Sequence, residues 1–559
     1  IITLKITIMK PFKKYILPMT MVLLALSACH KDDSPAPKTP KPDTVDNPDP
    51  KPEPENQAPG AFQLLEVVDG ETAVDLIPTL SWAQATDPDG DKIVYDVYLD
   101  TAESPKTLVA ENLGTTSYEL SDRLEYGSGY FWQVVAKDDK GSKTESGPRS
   151  FTTRKIAIEW QLNLGGSGND ILRSIQSTSD GGFIAAGSSR SEDGDVVSNN
   201  GNEDFWVVRI TSQGNLVWTA HLGGSKSDVA HAVQQTLDGG FIVVGNSRSS
   251  NGDVSVNQGE TDCWIVKLDT NGALLWQTSL GGSNFDGALD VLPTSDGGYW
   301  VVSNSLSNDG NISEAKGNMD VWVVKLDADG KLLTEISLGG TKNDTPYDLY
   351  PTDDGNVVIV GNSYSSDGDV TGNNGESDAW IVKLDAMGSL VWENNLGSSA
   401  TDTAYAIDRT FDGGYVLSGF SEAADGDVSV NNGGDDYWVV RLDSNGNTIW
   451  ETSLGGMANE QAWAVRQVQD GGFIVAGVTY SVNGNVSENN GKNDYWIVKL
   501  NADGKLLWET NLGGAGQDSA RAMAIAADGG VVVAGYSSSS DGDVIGNRGG
   551  SDFWIVKLN

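Results

Sequence analysis

An all-β chain, a seven-bladed β-propeller preceded by a small β-sandwich, is the fold class this sequence predicts, and three observations carry it. Trp206, Trp264, Trp322, Trp380, Trp438, Trp496 and Trp554 recur at a constant spacing of 58 residues. A second series, Trp160, Trp218, Trp276, Thr334, Trp392, Trp450 and Trp508, keeps the same step. Each 58-residue unit holds four apolar runs of strand length separated by Gly-rich turns, which is how blades repeated around a ring are written in sequence.

The composition narrows the function. Among 559 residues, 37 Lys and Arg face 78 Asp and Glu, so a formal net charge of -41 disfavours gripping nucleic acid through the general field of the chain. The two cysteines, Cys29 and Cys263, are too few for a disulfide scaffold. Three histidines, His30, His221 and His231, are too scattered for a His-based metal site, and no Ser-His-Asp set, zinc motif or phosphate loop stands out.

From Met9 the chain reads as a basic start (Lys10, Lys13, Lys14), a short apolar stretch, then Leu26-Ser27-Ala28-Cys29. This resembles a bacterial lipoprotein signal peptide with its lipobox. The resemblance implies removal of residues 1–28, a true start at Met9, and a lipid on Cys29 that tethers the protein to the outer membrane. The Lys31-Asp32-Asp33 that follows resembles the surface-export signal of Bacteroidetes lipoproteins, which implies exposure on the cell surface. Residues 29–56 form the anchor and tether: nine of the chain's 18 Pro fall between Ser34 and Pro59, interleaved with charges, and such a segment has nothing apolar to bury.

Residues 57–154 alternate short apolar runs with turn signals, the pattern of a β-sandwich. Trp82, the Leu124/Tyr130 pair and the closing Phe151-Thr152-Thr153 make this stretch similar to a fibronectin type III module, which implies a spacer or interaction role. Asp87, Asp89 and Asp91 read as a Pro/Gly turn with solvated acids, chelation of a cation being the alternative.

The ring occupies residues 155–559. In one unit, 228–236 turns at Asp238-Gly239-Gly240 into 241–247, and a long Asn/Asp/Gly loop leads to 262–268, which turns into 273–282. The array opens on a fourth-strand pattern and closes on a third-strand pattern, so its two ends are expected to share one blade and remove the open edges. The units resemble bacterial SBBP-type propeller repeats through LGGS, the DG turn, V-x-G-x-S and D-x-W-I-V-K-L. A weaker resemblance to the tryptophan-docking repeats of quinoprotein dehydrogenases lacks their quinone site. A monomeric ring with no required cofactor is expected.

What recurs seven times is read as scaffold. Asp204, Asp262, Asp320, Asp378, Asp436, Asp494 and Asp552 are expected to satisfy a backbone turn, and the Trp series to pack between blades. Cys263 is read as a small core residue. The long loops share one face, the expected binding surface, and carry Asp-Gly-Asp in four units: Asp193 and Asp195, Asp367 and Asp369, Asp425 and Asp427, Asp541 and Asp543. Close carboxylates suit calcium; solvated turn residues are the alternative.

What varies is read as candidate site. The first-strand row is Arg173, His231, Leu289, Tyr347, Tyr405, Trp463 and Arg521; the second-strand row is Arg190, Arg248, Leu306, Tyr364, Glu422, Tyr480 and Ser538. An aromatic sector (Tyr347, Tyr364, Tyr405, Trp463, Tyr480) thus lies beside a cationic one (Arg521, Arg173, Arg190, His231, Arg248), a pairing fit to stack sugar rings and hold acidic groups. By strand parity the first row shares a side with the apolar row Ile175, Val233, Val291, Leu349, Ile407, Val465 and Met523, so packing stands as its alternative. The expected function is non-catalytic binding of a glycan or a surface protein. A polysaccharide lyase or hydrolase using Asp290 and Asp348, which stand where other units carry Ser or Ala, is the enzyme alternative. A structural scaffold in an envelope complex is the third.

Overall fold

The computed structural model describes residues 55–559 except 123 and 353. Cys29, the leader and nearly all of the tether lie outside the described residues. Among the described residues every regular element is a β-strand, and none is a helix that could cross a membrane.

From residue 158 onward the strands form seven four-stranded antiparallel sheets. Their first strands are Asp170–Ser177, Asp228–Gln235, Asp286–Pro293, Asp344–Pro351, Asp402–Arg409, Glu460–Gln467 and Asp518–Ile525. Each of these inner strands contacts the next, and the last contacts the first, so the arrangement is cyclic and propeller-like. The final sheet takes its fourth strand, Ile158–Leu164, from the start of the array, antiparallel to Asp552–Leu558. The sharing of one sheet by the two ends follows from the order of the strand patterns.

Each sheet repeats the same local solutions. At the turn joining first and second strands, Thr178 Oγ1 and the Gly182 amide donate to Asp180 Oδ1, and Gly181 takes φ 84°. The same Asp receives the buried cation of the third strand: Arg209 on Asp180, Lys267 on Asp238 (3.0 Å), Lys499 on Asp470 (2.7 Å). The Lys or Arg inside D-x-W-I-V-K-L is thus paired at its turn in six sheets, whereas Lys325 of the third sheet lies over the Trp300 ring at 4.9 Å. The invariant Asp row caps loop amides: Asp204 accepts from Asn200 N, Asp262 from Gln258 N, Asp378 from Asn374 N, Asp494 from Asn490 N, and the other three likewise.

The third-strand Trp side chains are buried between sheets, for example 4.6 Å from Phe205 to Trp264, and their indole N–H groups, Trp206 excepted, reach the fourth strand, as in Trp264 to Gln277 and Trp322 to Glu335, both 2.9 Å. The outer Trp series spans neighbouring units: Trp218 donates to Thr270 O and Trp450 to Ala502 O. Its ring lies over Gly272, where a Cβ would come within 2.8 Å of it. Trp508, in the unit next to the shared sheet, instead meets Tyr126 of the first module edge-on at 6.1 Å. Tyr126 also donates to the Asn559 carbonyl.

That first module has a larger sheet ordered Glu71–Val74, Arg149–Thr153, Gly129–Lys137, Val94–Asp100, Leu108–Leu113, and a two-stranded sheet of Thr79–Ser81 with Ser117–Glu119. Trp82, Trp132, Val97 and Phe151 fill its core. The Glu125 amide donates to the Tyr130 hydroxyl.

Candidate functional site

The inner strands enclose an axial cavity of about 520 Å³, lined at one end by Arg173, His231, Leu289, Tyr347, Tyr405, Trp463 and Arg521. Every inner strand breaks register at this row: Leu172 pairs with Gly187 and Ser174 with Ala186, leaving Arg173 as the extra residue of a β-bulge, and the same shift brackets His231, Leu289, Tyr347, Tyr405, Trp463 and Arg521. A bulge re-aims side chains and breaks the two-residue alternation. Parity therefore misplaces the row: Val233 and Val465 are buried between sheets while His231 and Trp463 line the channel. The Gly of V-x-G-x-S accommodates the bulge, since a Cβ on Gly187 or Gly361 would collide with the carbonyl of Ile171 or Thr345. Only three residues into each strand, the row stands at the long-loop end.

The row is bonded to itself. Tyr405 stacks on Trp463 at 3.8 Å and 11°, Arg521 covers Trp463 at 4.0 Å, and Tyr347 meets Tyr405 edge-on at 4.9 Å. Trp463 is thus covered on two sides, by Tyr405 and Arg521, which leaves no free face for a sugar ring and corrects the stacking expectation for this residue. What it offers is its indole N–H, a buried donor with no acceptor among the described residues. Tyr364 and Tyr480, exposed like most of the second row, stand outside the channel lining.

The cationic sector shrinks. Burial, with the Arg173 charge adding to it, pushes His231 down to about 3, so its ring is neutral and lies 3.1 Å from the Asn246 amide. Arg190 pairs with Glu203 at 3.0 Å, and Arg248 donates to Thr261 Oγ1. Arg173 donates to Ser188 Oγ at 2.9 Å, and burial lowers it only to about 10, so it stays charged. Neither Arg173 nor Arg521 has a carboxylate in ion-pair contact among the described residues.

Midway down the channel, Asp290 and Asp348 face one another on adjacent inner strands. Burial first, then the Asp348 carboxylate, holds the Asp290 carboxyl well above the usual range. Their oxygens are engaged by backbone: Asp290 accepts from Val291 N (2.8 Å) and Leu349 N (3.2 Å), Asp348 from Leu349 N and Ile407 N (both 2.9 Å). The pair rivets neighbouring inner strands, as Ser174 Oγ does by accepting from Val233 N. Towards the tight-turn end lie two groups that sequence reasoning missed, Asp408 and Arg466, with Tyr350 beside them. Asp408 accepts from Gln467 N at 2.9 Å. The signal was present: the row Gln176, Gln234, Leu292, Tyr350, Asp408, Arg466, Ala524 breaks the repeat as the first row does.

The loop carboxylates of the calcium reading hold backbone. Asp193, Asp367, Asp425 and Asp541 accept from Ser167, Thr341, Ser399 and Ala515 amides, and Asp195, Asp369, Asp427 and Asp543 from Gly165, Gly339, Gly397 and Gly513 amides, at 2.6 to 3.2 Å. Arg548 also reaches Asp195. Among the described residues, the carboxylates close enough to share one cation are Asp87, Asp91 and Asp138 in the first module, where Lys140 lies 2.9 Å from Asp91. Asp87 Oδ1 there accepts the Asp89 and Asp91 amides, the turn reading. Cys263 is buried, and burial pushes its thiol up.

No described protein family matches the chain. A stretch of 183 residues is 26% identical to the regulatory protein FlaEY of Caulobacter vibrioides, covering 30% of this chain and 19% of that protein. The match thus spans about a fifth of the curated relative's length. Solved structures sharing geometry include puromycin hydrolase (TM-score 0.39, 12% identity, covering 66% of this chain and 50% of that one). The extracellular domain of a hybrid two-component system from B. thetaiotaomicron gives TM-score 0.38 at 10% identity, covering 86% and 52%. An α-L-arabinofuranosidase from Fusarium graminearum gives 0.35 at 10%, covering 56% and 92%.

Proposed function

We propose that this chain is a surface-anchored outer-membrane lipoprotein, tethered through Cys29, in which a fibronectin type III-like spacer carries a seven-bladed, SBBP-type β-propeller that binds a glycan or protein partner without catalysis. The observation that carries the binding reading is the bulge row: seven equivalent backbone positions aim five different residue types into one channel mouth, with like neighbours at Tyr347/Tyr405 and at Arg521/Arg173. A scaffold would gain nothing from breaking its symmetry there, whereas a site must. The long loops around that mouth supply the remaining surface. A glycan is favoured over a protein because the mouth is furnished with hydrogen-bonding groups, the Tyr hydroxyls and the unpartnered indole N–H.

The enzyme reading keeps one supporting observation: burial and the Asp348 carboxylate raise Asp290 in the facing Asp290/Asp348 pair. Its oxygens, however, are engaged by the amides of three residues, which gives the pair a structural task. A glycan array and cell-surface pull-down, run with and without calcium, test the binding reading. Replacing Tyr347, Tyr405 and Trp463 together by Ala is expected to abolish capture while the chain stays folded. Turnover of any polysaccharide that is lost in Asp290→Asn would instead establish the enzyme.

A further inference from the structure

Arg173 and Arg521 are separated by most of the array in sequence, yet they stand on adjacent inner strands, because the last sheet closes against the first. Both are bulge residues lining the mouth, and both are half-buried. The contacts of Arg521 are the Trp463 face at 4.0 Å and the Tyr536 hydroxyl at 3.5 Å; those of Arg173 are Ser188 Oγ and, at 3.5 Å, the Ile171 carbonyl. The acid nearest to Arg173, Glu203, is already engaged: its Oε1 accepts from Ser188 Oγ and its Oε2 from Arg190. In a chain of net charge -41, two half-buried guanidiniums left without a carboxylate are unusual, because each retains donors that no acid of the chain engages. The Trp463 indole N–H, also without an acceptor, belongs to the same cluster. The set is donor-only.

We infer that Arg173, Arg521 and the Trp463 N–H form an anion subsite that receives an acidic group, a carboxylate or sulfate, carried by a glycan; this deepens the binding reading above and rests on it. Planar guanidiniums match the two oxygens of such a group, and the Trp463 face holds one of them in place. A glycan rather than an acidic peptide is the occupant because the loops round the mouth carry repeated Asp-Gly-Asp turns, whose field opposes a run of acidic residues while a single acid flanked by hydroxyls suits the Tyr-lined neighbourhood.

The test is calorimetric titration of the whole chain with a neutral oligosaccharide ending in a single glucuronate and with the same oligosaccharide methyl-esterified, alongside a singly sulfated oligosaccharide and a poly-glutamate peptide. The expected result is binding of an acidic saccharide that weakens at least tenfold on esterification and in Arg173→Gln and Arg521→Gln, with Arg521→Lys recovering part of the loss. Near-UV circular dichroism keeps a misfolded variant from being read as a lost site. Equal affinity for acid and ester, unchanged in the Arg variants, overturns the anion subsite while leaving glycan binding intact. Failure of every saccharide to bind overturns both, and poly-glutamate binding as tight as the saccharides overturns the assignment to a glycan.

Discussion

At the scale of single residues, the Gly in the second strand decides whether the mouth can exist. Gly361 lies against the bulge of its inner strand, where a Cβ would collide with the Thr345 carbonyl, and Gly419 has the same relation to Thr403. The second strand cannot shift away without losing ladder bonds to the third strand on its other side. Gly361→Ala is therefore expected to cost about 1–3 kcal/mol of stability, the usual scale of overpacking, measured by chemical denaturation. Ser303 occupies this position in the third sheet, where it is buried, so the backbone there has already made room. Ser303→Gly should change stability by well under the cost of Gly361→Ala; equal costs would contradict the bulge account. The Gly series was visible in the sequence, and a Gly inside a strand marks a bulge or a close backbone approach. Read that way, it would have put His231 and its equivalents in the channel, where plain alternation put them beside Val233.

At the scale of elements, inner strands are joined to their neighbours by side chains as well as by packing. Asp348 accepts amides from its own strand and from Ile407 on the next, and Asp290 does the same towards Leu349. Removing the Asp348 carboxyl leaves the Ile407 amide unpaired in a buried setting, so Asp348→Ala is expected to destabilise by about 1–3 kcal/mol. Asp348→Asn, which keeps one acceptor and ends the charge repulsion with Asp290, should cost less. A denaturation series in which both variants are neutral would reopen a catalytic role for the pair. The strand types, the four-strand unit and the turn chemistry were legible because each follows from a repeated pattern. The partners of the loop carboxylates were not, because an Asp-Gly-Asp sequence looks the same whether its acids face a cation or the amides of a neighbouring turn.

At the scale of the whole molecule, closure and charge set the behaviour. The shared sheet was readable from the order of strand patterns, but the contact of Tyr126 with Trp508 and with the Asn559 carbonyl joins parts of the chain that no local pattern relates. Tyr126→Ala is expected to lower the melting temperature of the ring by loosening its seam; an unchanged melt would make the first module a passive neighbour. The buried Asp row adds a pH dependence. Burial, with a neighbouring carboxylate adding to it in each, raises Asp204, Asp262, Asp378, Asp436, Asp494 and Asp552 to about 6 from 3.8. Groups raised in the folded state contribute stability that is present below their unfolded value and lost as pH rises through about 6. His221 and His231, lowered by burial to about 4 and about 3, act in the opposite sense, but two imidazoles oppose six carboxyls. The melting temperature is thus expected to be higher at about pH 5 than at about pH 7.5, and a rise across that interval would contradict the burial of the row. The central claim, that the long-loop mouth is the binding site, is tested most directly by comparing glycan affinity across the two ends of the channel. Tyr347→Ala/Tyr405→Ala/Trp463→Ala at the loop end is predicted to abolish binding while Tyr350→Ala/Arg466→Ala at the tight-turn end leaves it unchanged; loss confined to the tight-turn variant would contradict it.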